Sequence, residues 1–78
     1  MREELEAFMA ETGVRQADLA KKAGLRDPTL IHRTLMRGTM PTTEHVIRLR
    51  EAMAFFRAEI KARLEKAAEE GRASGAGA

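Results

Sequence analysis

The sequence predicts an all-α fold of four to five helices, the last of them long, on three observations. Apolar side chains recur at gaps of three and four through most of its length. Glycine follows three of the resulting segments, at Gly13, Gly24 and Gly38. From Thr43 to Glu70 there is neither glycine nor proline to interrupt a helix. With 78 residues, 44 % hydrophobic and 33 % charged, there is room for one domain, whose core is small enough to benefit from a second subunit.

Leu5, Phe8 and Met9 make the apolar face of a first helix among Glu3, Glu4, Glu6 and Glu11, and Gly13 stops it. Acidic residues near that amino terminus suit the positive end of the helix dipole. A second helix is expected from Arg15 or Gln16 to Ala23, with Leu19, Ala20 and Ala23 inward and Asp18, Lys21 and Lys22 outward. Gly24 follows it and can adopt the left-handed conformation that ends helices, after which Leu25 returns toward the core.

Asp27 and Pro28 predict the start of a third helix, since an aspartate accepts from free first-turn amides and proline suits the first helical position. That helix runs to Met36 or Arg37 and leaves about three residues between it and the second, a tight turn. After a loop from Gly38 to Pro41, Thr42 or Thr43 caps a fourth helix with Val46, Leu49, Met53, Phe56, Ile60, Leu64 and Ala67 at its apolar positions. It is expected to be continuous or bent near Phe55. The domain thus occupies residues 1–70, with a helix for dimerisation at about 54–70, and the Gly, Ala and Ser-rich stretch 71–78 is expected to be a disordered tail.

Several function classes fall away. Without cysteine there is neither a disulfide nor a thiolate metal site, which fits a cytoplasmic location. No apolar run approaches the roughly 20 residues of a membrane span, and the charged Met1–Glu6 stretch does not open a secretory signal. His32 and His45 are the only histidines and Ser74 the only serine, in the tail, so neither a metal centre nor a nucleophile beside an acid and base is expected. The expectation is a protein with no catalytic residues, no cofactor and no small-molecule ligand.

The net charge of +2 is unevenly spread. Residues 1–13 carry Arg2 against four glutamates, whereas residues 14–38 carry Arg15, Lys21, Lys22, Arg26, Arg33 and Arg37 against only Asp18 and Asp27. The basic excess therefore sits chiefly in the segment 14–38, where a phosphate-binding surface is to be sought.

Residues 16–38, QADLAKKAGLRDPTLIHRTLMRG, resemble the helix-turn-helix of the phage Cro and C1 repressor (XRE-like) family. Gln16, Ala20 and Gly24 match that family's opening glutamine, small alanine and turn glycine. Leu19 and Leu25 match its flanking core positions, and Gly38, Pro41, Val46, Leu49 and Met53 resemble its loop and fourth helix, so that the likeness covers about residues 5–54. There is a mechanical reason for each: helices crossing after a short turn need a small contact residue, and the turn needs a positive φ. Two departures are visible. Arg15 stands where the family usually has a serine or threonine cap, and the interval from Gly24 to Gly38 is one or two residues longer than its commonest spacing.

The resemblance implies a small helix-turn-helix domain that binds double-stranded DNA sequence-specifically, as a homodimeric transcriptional repressor of a palindromic operator with half-sites one turn, roughly 34 Å, apart. The alternative is a helical interaction module, antitoxin-like or a phage-type regulator, that uses the same fold to bind a protein. At about 100° per residue, Leu30, Ile31, Thr34 and Leu35 face the core while Thr29, His32, Arg33, Met36 and Arg37 face outward. In a major groove, Arg33 suits a guanine, Thr29 and His32 hydrogen-bond base edges, and Met36 touches a thymine methyl. Gln16 resembles the family's phosphate-anchoring glutamine, with Arg15, Arg26, Arg37 and Thr39 as further phosphate contacts. Phe55, Phe56, Ile60 and Leu64, running past the end of the resemblance, are the expected dimer interface.

Overall fold

The apolar spacing resolves into α1 (Arg2–Thr12), α2 (Gln16–Ala23), α3 (Leu30–Arg37) and α4 (Thr43–Gly75). They come from a computed structural model that describes residues 1–75, with side chains through residue 71. No strand occurs among the described residues, and the expected all-α fold with a long final helix is what forms.

The end of α2 shows how sequence sets geometry here. Gly24 takes φ 69°, which lets its amide donate to the Lys21 carbonyl while the Leu25 amide donates to the Ala20 carbonyl, at 3.1 and 3.0 Å. This reciprocal pair satisfies carbonyls that the helix end leaves free, and it drops Leu25 against the core.

The start of α3 differs from expectation. Asp27 does catch a free amide, but its Oδ1 accepts from Thr29 N at 2.9 Å and from Thr29 Oγ1 at 2.6 Å, while the Leu30 amide donates to the Asp27 carbonyl at 3.3 Å. These local bonds hold Pro28 and Thr29 in a turn, so α3 begins at Leu30 and six residues, 24–29, separate it from α2 instead of three. Thr29 is the residue before the helix, its carbonyl accepting from Arg33 N at 2.9 Å.

Thr42 caps α4, its Oγ1 accepting from the His45 amide at 3.3 Å. The helix then continues without interruption through Phe55 to Gly75, so the bent alternative is not formed. It also runs past Gly71, where a disordered tail was expected to begin; residues 76–78 of that tail lie outside the described residues.

Leu5 and Phe8 of α1, Leu19, Ala20 and Ala23 of α2, Ile31 of α3, and Leu49, Ala52 and Met53 of α4 form the core. Burial of each large side chain among them contributes roughly 1.5 to 3 kcal/mol. α3 is seated against α1 and α2, and α4 against α1 and α2. Among the described residues one polar side chain is buried, that of Thr34, 2 % exposed; it donates its hydroxyl to the Leu30 carbonyl at 3.0 Å, which removes the cost of burying it. The molecule measures 53 × 20 × 17 Å. Its long axis is α4, whose 33 residues span about 50 Å and which is exposed on all sides from Lys61 to Gly71.

Candidate nucleic-acid interface

Ile31 and Thr34 are buried, Leu30 and Leu35 half-buried, and these four fix which way α3 faces. The opposite side is open: His32, Arg33, Met36 and Arg37 are all exposed, as is Thr29 just before the helix. The division expected from helical periodicity is therefore present in three dimensions. Arg15, Arg26 and Thr39 are also exposed, and Gln16 is half-buried at the first position of α2.

No side chain caps α2, because Arg15 occupies the position where a serine or threonine hydroxyl would accept. The first amides of α2 are thus left to donate outward beside Gln16 and Arg15, the arrangement that favours a phosphate oxygen. A cleft of about 640 Å³ opens beside them, with Val14 and Phe56 as its apolar lining and Arg15, Lys21 and Lys22 among its polar residues.

The ion pairs redistribute the charge in a way that linear counting does not. Arg50 holds Glu4 in a fork, at 3.0 and 3.1 Å, and Arg57 holds Glu11 at 3.2 Å, so α4 neutralises two of the four glutamates of α1. Arg2 pairs with Glu6, Arg48 with Glu44 and Arg63 with Glu59 within their own helices. Among the described residues, Arg15, Lys21, Arg26 and Arg37 have no carboxylate within 4.0 Å. Among the described residues, the positive charge without a carboxylate partner is thus concentrated on residues 15–37, α2 and α3 with the turns beside them, where solvent screens it.

Arg33 is the exception, and an informative one. Its Nη2 donates to Asp27 Oδ2, while Asp27 Oδ1 is occupied by Thr29. The two Thr29 hydrogen bonds and then the Arg33 charge hold the Asp27 carboxyl below its ordinary value, so it is an anion at neutral pH. One guanidinium nitrogen is tethered in this way, which narrows the directions in which the rest of the fork can point. Thr29 differs from its expected role in one respect: its hydroxyl proton is committed to Asp27, so toward a base it is limited to accepting.

Sequence reasoning missed Asp27 as the holder of Arg33, because a separation of six residues matches no helical pairing. It also missed Met40, which is 68 % exposed in the loop after α3, as Met36 is on the helix itself. A methionine flanked by Thr39 and Pro41 belongs to no periodic stripe that would reveal it.

The expected dimer residues do not share one face. Phe56 is half-buried against the core, its ring centroid 6.3 Å from that of Phe8, and therefore completes its own domain. Phe55 is 47 % exposed and lies under the Lys22 ammonium, 3.5 Å from the ring centroid. Ile60 is half-buried and Leu64 exposed at the edge of the bundle, beside the end of α1 at Glu11 and Thr12. Among the described residues no three histidine, aspartate or glutamate side chains gather as metal ligands, and no helix is long and apolar enough to cross a membrane. No family model, curated protein or solved structure matches this chain.

Proposed function

We propose that this protein binds double-stranded DNA sequence-specifically through the outer face of α3 and acts in the cytoplasm as a homodimeric transcriptional repressor at a palindromic operator, without a cofactor or catalysis. The observation that carries the reading is the coincidence of two surfaces. The exposed side of α3 carries His32, Arg33, Met36 and Arg37, with Arg26 beside its start, and among the described residues Arg15, Lys21, Arg26 and Arg37 have no carboxylate within 4.0 Å, while the cations of α1 and α4 are largely paired. In this arrangement Arg33, His32, Thr29 and Met36 read base edges, and Arg15, Gln16, Arg26, Arg37 and Thr39 hold phosphates on either side.

Selection of binding sites from random duplexes by the purified protein tests it. An enriched inverted repeat is the expected result, and failure to enrich any sequence overturns it. A second reading, a module that binds a protein partner, draws support from the exposed methionines Met36 and Met40, which give this same surface an adaptable apolar component. It predicts no enrichment, together with a partner that protects Met36 and Met40 from oxidation.

A further inference from the structure

The apolar stripe of α4 does not stop where the bundle does. Val46, Leu49, Met53 and Phe56 face the core, and Ile60, Leu64, Ala67 and Gly71 continue the same line, within about 40° of Ile60 around the helix. Phe55 lies about 140° from Ile60 and is not part of it. Up to Phe56 the stripe is covered by α1 and α2, with Phe8 on Phe56; Ile60 is half-buried beside the end of α1, and from Leu64 onward the stripe is exposed, Leu64 to 66 %.

We propose that this stripe is covered by the same stripe of a second copy, running antiparallel about a two-fold axis that passes between residues 65 and 66. The inference deepens the dimer of the proposed function but does not depend on DNA binding. Three features carry it.

The first is steric. Packed helices lie about 8 to 10 Å apart. In a parallel pair both bundles would sit at the same end, and each would place its α1 on the face the other helix needs. In the antiparallel pair the end of the partner's helix, residue 75, reaches only the level of Phe56, so the overlap with the bundle is confined to its edge at the end of α1.

The second feature is the spacing itself. The positions 60, 64, 67 and 71 map onto one another under that axis, so Ile60 meets the partner's Gly71 and Leu64 meets the partner's Ala67. Each large side chain finds a small one, which lets the helices approach and leaves no void. A parallel pair instead stacks Gly71 on Gly71 and Ala67 on Ala67.

The third is charge. Flanking the stripe, Arg63 comes to face the partner's Glu70, twice by symmetry, while Lys61 faces the partner's Ala68. No like-charged pair is created at these flanking positions. Glu70 has no cation within 4.0 Å among the described residues, so it is available for this contact.

Since the chain contains no cysteine, single cysteines report the pairing cleanly. An equimolar mixture of I60C and G71C should form a disulfide-linked heterodimer under a mild oxidant, while I60C alone should not cross-link, because two copies of residue 60 are roughly 16 Å apart along the axis. A side chain at 71 meets nothing within 4 Å, so G71C preserves the fold. As a second readout, R63E should weaken dimerisation on the order of tenfold by sedimentation, and R63E/E70R should restore it. A wild-type chain that sediments as a monomer up to the tens of micromolar range overturns the pairing. A wild-type dimer in which I60C cross-links to itself, or in which E70R fails to rescue R63E, overturns the antiparallel register while leaving a dimer in place. The DNA selection is a separate measurement, so its failure is distinguishable from either.

Discussion

Replacing Phe56 and Leu64 separately by alanine distinguishes the residue that completes the fold from the one that faces outward. Phe56 is half-buried against Phe8, which has no exposed surface, and its truncation opens a gap between α1 and α4. A fully buried Phe→Ala change costs about 3 to 5 kcal/mol, so a half-buried ring on this interface should cost about 2 kcal/mol. For a domain of this size that lowers the melting temperature by roughly 8 to 16 °C. Leu64, 66 % exposed at the edge of the bundle, should cost the isolated chain less than about 0.5 kcal/mol. Its loss should appear as weaker self-association. Thermal melts followed by circular dichroism at submicromolar protein, paired with sedimentation at high concentration, separate the two effects. The reasoning is refuted if Leu64→Ala lowers the dilute-solution melting temperature as much as Phe56→Ala does. It is equally refuted if Phe56→Ala dissociates a dimer without touching the stability of the dilute chain.

The remaining predictions concern the interface with DNA and the response to acid. Arg33→Ala should relax preference at one base position at a cost of roughly 1 to 3 kcal/mol, whereas Gln16→Ala should weaken cognate and scrambled duplexes equally, as competition titrations will show. Asp27→Asn should widen base preference at the Arg33 position while nonspecific affinity stays level, because it removes the tether on the guanidinium and not the guanidinium itself; an unchanged selected site would dismiss that role for Asp27. Antiparallel α4 pairing puts the two α3 helices on the order of 60 Å apart, so half-sites should be nearer two helical turns apart than the one turn expected at first, which the selected repeats measure directly. Glu4 is held below its ordinary value by Arg50, as Asp27 is by Thr29, so both favour the folded state above their unfolded pKa values, 4.5 and 3.8, and that contribution is lost as pH falls through the lower folded values. The melting temperature should therefore be insensitive to these groups from neutrality to about pH 5 and fall below about pH 4, with Arg50→Ala shrinking the acid-side loss.

What the sequence alone determined is what depends on neighbours within about one helical turn. Gly13, Gly24 and Gly38 end three helices because each needs only its own φ and the carbonyls just before it. The two sides of α3 were legible because a residue's direction on a helix follows from its number. Even the local reading slipped where two local bonds compete: Asp27 was expected to cap a helix starting at Pro28, and its side chain instead draws Thr29 into a turn. The tertiary structure decided whatever joins distant segments. Phe55 and Phe56 are adjacent and alike in sequence, yet only Phe56 meets Phe8, because the direction of a side chain acquires meaning when α1 arrives to cover it. The same is true of charge, since Glu4 and Glu11 look like a free acidic face until Arg50 and Arg57, each 46 residues away, fold against them. The surplus of unpaired cations on residues 15–37 is thus a property of the folded molecule, produced as much by pairing in α1 and α4 as by the arginines that compose it.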